Sequence, residues 1–294
     1  PSLRDLTPRA GLSEPSPSFG VRDGNYCPTR QVKACPPKRG HFTAAVAPGY
    51  ADYLEGKTRT SALGDYYLKD GERVEALGRW VSMTAALTAE PGEQAVSGDA
   101  LRELMAVRHP VTGEPLRKVG ASGEAVAAID ATFSAPKSVS AIWALGDSEL
   151  RAGVESAHEA AIDRAVRYAV AQVLMVRQRL DADTVSHVKA VDVVATSWRH
   201  STARAVKDRV PDPQLHSHVL LHAAVRADGR TVAIDSRAWL LHRRELGAAY
   251  RTELARGMSE LGFAVRRGTG RGGRYFEIAG VPQELLDRWS SRHH

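Results

Sequence analysis

The chain has 294 residues, 43% of them hydrophobic and 25% charged, so it can bury a core without disulfide staples. Forty lysines and arginines against 34 acids give a net charge of +6 and a pI near 9.4, which suits a polyanionic partner without requiring one. Membrane insertion and secretion are not expected: no apolar run reaches the ~18 residues of a span, and no basic-then-apolar leader is present.

The two cysteines, Cys27 and Cys35, lack C-x-x-C spacing and argue for neither zinc nor a disulfide framework. A reducing compartment is the default. The sequence does not begin with Met, so a fragment or processed product is expected.

Residues 1–40 are rich in Pro, Ser, Gly and Arg and carry 7 basic against 3 acidic groups. They read as a basic, poorly ordered arm, with a catalytic domain expected over residues 41–294. Residues 41–47 suit a first strand. A polar segment over residues 50–80 holds Tyr50, Tyr53, Tyr66 and Tyr67. A short helix is expected over residues 98–108, then a Pro/Gly loop over 110–123.

Residues 125–133 read as a buried strand with Asp130 inside it. Ser134 and Pro136 suggest a cap and an early helical proline. The pattern over residues 148–180 predicts one long helix, with Ile162, Val166, Ala169 and Val173 on one face. Residues 191–198 and 215–225 read as strands. A turn at 226–229 returns the chain into residues 231–234. A second long helix is expected over 238–261, a hairpin over 263–278 and a short final helix from Pro282 to about residue 291. Together these predict an α+β fold, an antiparallel sheet with packed long helices.

Four constellations bear on chemistry. His216-Ser217-His218 lies on a predicted strand, where residues two apart share a face. Two imidazoles there can converge on one metal ion, and His200, at the end of the preceding strand, can add a third nitrogen. Such an ion suits polarisation of a phosphoryl oxygen. The plain alternative is surface decoration or core filling. Asp130 is either a buried carboxylate paired with a histidine or an edge-strand acid facing water.

The tyrosines are either half-buried aromatics or, beside a metal-bound phosphate, nucleophiles able to form a covalent ester. The glycine-rich run at 268–273 matches G-x-G-x-x-G but precedes a strand, so it reads as a hairpin turn and not as a pyrophosphate cradle. Arg266, Arg267, Arg271 and Arg274 around it either touch phosphates or form a solvated face. His222, four beyond His218, is a bystander or an auxiliary ligand, with a structural role as the default.

Three strings occur in order: Gly64-Asp65-Tyr66-Tyr67-Leu68-Lys69-Asp70-Gly71, then Ile129-Asp130-Ala131-Thr132-Phe133-Ser134-Ala135-Pro136-Lys137-Ser138-Val139-Ser140, then Asp212-Pro213-Gln214-Leu215-His216-Ser217-His218. They resemble the relaxase domain of conjugative transfer proteins, the MobF class of HUH endonucleases, over roughly residues 42–292. The resemblance implies an HUH/relaxase-like palm. It also implies metal-dependent, site- and strand-specific nicking and strand transfer at a plasmid origin of transfer, through a 5′-phosphotyrosine and a free 3′-hydroxyl.

It further implies His200, His216 and His218 as ligands of a divalent metal, Mg or Mn first and Zn or another ion next. Asp130 would orient a ligand histidine or assist the tyrosine. Tyr53 is implied as first nucleophile, with Tyr50 as its rival and Leu54 in place of the second tyrosine of that pair. Tyr66 and Tyr67 match the second pair. Lys137 joins the four arginines as a DNA-contact candidate.

The implied partner is single-stranded DNA at an origin of transfer with a flanking hairpin or duplex, together with accessory transfer proteins. The implied setting is the bacterial cytoplasm, with translocation alongside the DNA as a further expectation. Alternatives are a rolling-circle replication initiator with the same chemistry, a catalytically inactive sequence-specific DNA-binding domain, and a metal-dependent hydrolase using water.

Overall fold

The computed structural model describes residues 78–81, 95–119, 126–181, 183–203, 211–268 and 275–290. The expected arm over 1–40 and strand over 41–47 lie outside the described residues. In chain order the elements are β1 (Gly78–Trp80), β2 (Ala95–Val96), α1 (Gly98–Met105), β3 (Ile129–Ser134), α2 (Lys137–Leu145) and α3 (Ser148–Tyr168). The ribbon β4 (Met175–Arg179) and β5 (Val185–Lys189) follows, then β6 (Asp192–Thr202), β7 (Pro213–Val225) and β8 (Thr231–Val232). The chain continues with α4 (Ser236–Glu260), the hairpin of β9 (Val265–Arg267) and β10 (Phe276–Ile278), and α5 (Gln283–Arg288).

Six strands form an antiparallel sheet in the order β2-β1-β6-β7-β3, with β8 pairing the C-terminal end of β7. The α+β expectation with an antiparallel sheet and long packed helices therefore holds. Alternation along β6 and β7 sends side chains to two different cores. On one face Ala131, Phe133, Val193, Ala195, Leu215, Val219 and Leu221 pack against Val154, Ala161 and Ile162 of α3 and Leu246, Tyr250 and Leu254 of α4. On the other, Trp198 and Leu220 meet Val96 of β2 and Leu101 of α1. Because both faces are covered, β7 is buried along nearly its whole length.

Local chemistry sets the helix limits. Asp147 caps α3 by accepting from Leu150 N at 2.9 Å, and Asp235 caps α4 by accepting from Arg237 N at 3.0 Å. Past α4, Gly262 adopts φ +88°, and Phe263 N reaches back to Met258 O.

Three expectations need correction. The helix expected over 148–180 ends at Tyr168, passes through a π-helical turn at Ala169–Val173 and becomes strand β4. Ile162, Val166, Ala169 and Val173 are all buried as expected, but the apolar stretch beyond them serves a strand equally well. Ala190 N bonds Leu174 O there, pinning the start of a ribbon that periodicity did not signal. Ser134 is not a cap: it ends β3, and Pro136 takes the N-cap position of α2 without a side-chain bond. Finally, β6 runs on to Thr202, so His200 lies within the strand and not at its end.

Candidate metal centre

The register of β6 and β7 pairs His200 directly with His216 and Trp198 with His218. This puts the three imidazoles on one sheet face, beyond the part that α1 covers. Their ring centroids are 5.1–5.3 Å apart, and a ligand nitrogen of each lies within 4.8 Å of the others. All three are buried. This is neither surface decoration nor core filling.

On β3, Asp130 sits diagonally across from His218, which is paired with Thr132. Both carboxylate oxygens face His218 Nδ1, at 2.9 and 3.1 Å. The carboxylate is buried, so the alternative of an edge-strand acid facing water does not hold. His216 Nδ1 lies 3.0 Å from Gln214 O. In both histidines a hydrogen bond engages Nδ1, so Nε2 is the nitrogen that would bind an ion, the arrangement that orients metal-binding imidazoles. A neutral three-imidazole donor set with a carboxylate behind it fits a divalent cation with open positions.

His222 is separate from the trio. Its Nε2 lies 3.1 Å from Thr196 Oγ1, which also accepts from Trp198 Nε1 at 3.1 Å. Burial, reinforced by the nearby Arg117 charge, lowers its pKa to about 3. It is the one extra residue of β7 at a register shift opposite Val194 and Ala195. Beyond it, Ala223 and Val225 turn to the α1 side.

On the opposite face from the trio, Ser217 points into the helix layer. Its Oγ is 2.9 Å from His158 Nε2 on α3, and His158 Nδ1 is 2.7 Å from the Tyr250 hydroxyl on α4. Burial lowers the His158 pKa to about 3, helped by the Arg199, His216 and Arg79 charges. Burial also raises that of Tyr250. The second and third of the quoted strings, 129–140 and 212–218, are physically joined here. Ser140 Oγ accepts from Leu215 N at 3.1 Å, and Ala135 N donates to Leu215 O at 3.0 Å. Ser138 N and Oγ both donate to Glu277 of β10. The start of α2 thus anchors the start of the histidine strand.

The family model described as TrwC relaxase matches residues 47–294. The chain belongs to the TrwC relaxase family. It is 30% identical over 237 residues to the multifunctional conjugation protein TraI of Escherichia coli, a region covering 76% of this chain and 13% of that protein. The chain therefore spans only a small part of that relative's length. A metal-free complex of the conjugative relaxase TrwC with oriT DNA superposes with a TM-score of 0.65 at 25% identity, covering 86% of this chain and 79% of that one. A metal-bound TrwC–oriT DNA complex gives 0.64 at 26% identity, covering 86% and 80%.

The relaxase-family centre thus gathers four of the predicted site residues: His200, His216, His218 and Asp130. Lys137 opens α2, with Nζ 4.0 Å from Asp212 of the D-P-Q-L-H string. Arg266 is half-buried and Arg267 exposed on β9. Arg271, Arg274, Tyr50, Tyr53, Tyr66 and Tyr67 lie outside the described residues. Sequence reasoning missed the Ser217–His158–Tyr250 chain. Two signals were available: Ser217 is polar where Leu215, Val219 and Leu221 share its face, and His158 falls on the stripe of Val154, Ala161 and Ile162. Among the described residues, no helix is long and apolar enough to cross a membrane.

Proposed function

We propose that this domain nicks one DNA strand at a plasmid origin of transfer and holds the cut end as a tyrosine ester. The observation that carries the reading is the convergence of His200, His216 and His218, with Asp130 behind His218, in a TrwC relaxase-family chain. In this reading the three histidines hold a divalent ion, Mn²⁺ or Mg²⁺ ahead of Zn²⁺. When bound, the ion supplies Lewis-acid neutralisation of charge on the scissile phosphate.

The chain's own groups do the rest. Asp130 fixes the His218 ring by accepting from Nδ1. Tyr53 Oη attacks phosphorus, the P–O3′ bond breaks, and the phenolic proton ends on O3′ as a free 3′-hydroxyl. The ester keeps the phosphodiester energy for rejoining. Tyr66, with Tyr67 beside it, serves a second transfer while the first link stands. Lys137, Arg266, Arg267, Arg271 and Arg274 contact the DNA backbone, which positions the strand without reading its sequence. In this reading the substrate is single-stranded DNA next to a hairpin or duplex; in support, the similar TrwC structures hold oriT DNA. Such a substrate places the reaction in a bacterial cytoplasm.

The test is incubation with Mn²⁺ or Mg²⁺ and a labelled single-stranded origin oligonucleotide, read as an SDS-stable protein–DNA adduct. The adduct is expected with the native chain and is lost in Tyr53→Phe and in His216→Ala. Cleavage without any adduct would sink the tyrosine mechanism and leave a water-using hydrolase. Binding without cleavage or adduct would favour an inactive DNA-binding domain. An active Tyr53→Phe beside an inactive Tyr50→Phe would move the first nucleophile.

A further inference from the structure

We infer that Ser217, His158 and Tyr250 form a positioning relay that sets, from behind the sheet, the direction in which the His216 and His218 rings face His200. The inference rests on the metal-site reading above. Ser217 stands between the two histidines in sequence and points the opposite way, so its side chain is a handle on the strand segment that carries both rings.

The handle is held at both ends of a chain: Ser217 Oγ to His158 Nε2 at 2.9 Å, and His158 Nδ1 to the Tyr250 hydroxyl at 2.7 Å. His158 belongs to α3 and Tyr250 to α4, so both long helices are tied to one residue of β7. Tyr250 is itself held by ring contacts, edge-on to His158 at 5.6 Å and tilted against Phe133 at 5.3 Å. Phe133 lies on β3, which also carries Asp130.

Stability alone does not call for this chain. The surrounding layer is apolar, and apolar side chains of similar shape fill such a site at no loss. What a hydrogen-bonded chain adds is direction. The ladders to β3 and β6 fix the height and register of His216 and His218. The two ladders also resist roll of the strand about its own axis, and whatever roll they allow turns both imidazoles together. Ser217 is the one residue between them, and its bond to His158 opposes that roll.

The test is titration of Mn²⁺ alone into the metal-free chain, read by the electron paramagnetic resonance signal of free Mn²⁺. Ser217→Ala and Tyr250→Phe each remove one oxygen from the buried chain. Each is expected to weaken Mn²⁺ binding about tenfold, the size seen when groups behind metal-bound histidines are lost. The double variant is expected to lose no more than either single one, because each breaks the same chain. Ser217→Thr, which keeps the hydroxyl, restores affinity.

Circular dichroism and melting establish that each variant is folded at the assay temperature. A folded variant's lowered melting point does not by itself weaken binding. Unchanged Mn²⁺ affinity in both single variants, with only a lower melting temperature, overturns the relay and leaves core packing. Fully additive losses overturn it as a single unit. A native chain that fails to bind Mn²⁺, or whose binding survives His216→Ala, overturns the metal reading and the relay with it.

Discussion

Two ends of one sheet face carry histidines with opposite fates. At the open end, His200, His216 and His218 face one another, and hydrogen bonds engage Nδ1 of His216 and His218. Toward the other end, His222 lies near the covering layer of α1, paired with Thr196, and its Nδ1 has no hydrogen-bond partner among the described residues. Spacing along the strand does not separate these cases, because His222 follows His218 by four residues, an even interval as is the two from His216 to His218. What separates them is which second nitrogen is committed, and whether a helix closes the space in front of the ring.

The largest effect that can break this comparison is loss of a trio member. His218→Ala or His216→Ala is expected to abolish Mn²⁺ binding and reduce nicking at least about a hundredfold. His222→Leu should leave Mn²⁺ affinity within about twofold. Equal losses from the two ends would show the division to be wrong.

The next effect is on stability against pH, measured by urea unfolding of the metal-free chain. His158 and His222 both have folded pKa values of about 3, below the unfolded value of 6.5. Between those values the unfolded state binds more protons, so stability is full above about pH 6.5 and is lost as pH falls toward 3. From pH 7.5 to 5.0 each of the two should cost about 2 kcal/mol. A His158→Phe variant should show a fall smaller by that amount, and an unchanged fall would contradict a buried neutral ring.

A smaller effect tests the covered end. A Cβ on Gly78 would stand 2.5–2.7 Å from the Trp198 ring, which belongs to the packed layer beside His222. Gly78→Ala should therefore cost about 1–3 kcal/mol in thermal unfolding through overpacking. A cost near zero would mean that the Trp198 ring, the cross-strand partner of His218, moves aside freely. Smallest is Arg256→Ala on the exposed face of α4, where pairs with Glu253 and Glu260 lie in water. A change under about 0.5 kcal/mol is expected, and a larger one would mean α4 has an unrecognised contact there.

Much of the frame was legible in the residues because single periods govern it. The strands at 213–225 and 129–134, the helix ending before Gly262 and the turn at 226–229 each follow one pattern. The metal trio was legible because H-x-H on a strand has one geometric meaning. The ribbon of β4 and β5 was not, since Val173, Val176 and their neighbours satisfy a helical stripe and a strand alike, and only pairing partners decide. The Ser217–His158–Tyr250 chain was not legible because its members are 59 and 92 residues apart and meet only through the packing of α3 on α4. Asp130 was half-legible: its place inside an apolar strand was readable, but whether it faces water or is buried against His218 needed the β3–β7 register.

The extra residue at His222 has a consequence for how β7 tolerates change. A strand with unbroken alternation transmits a one-residue slip along its whole length and turns every side chain over. Here the pairing with β6 is already reset at His222, and again beside Leu215 opposite Ser201, so β7 behaves as shorter strands spliced end to end. The segment leading into the turn at 226–229 can be lengthened or shortened by one residue, with the splice absorbing the difference, while the imidazoles keep facing outward. The same change made between His216 and Leu221, where the register with β6 runs unbroken, has no splice to absorb it and would turn His216 or His218 toward the helix-packed side of the sheet.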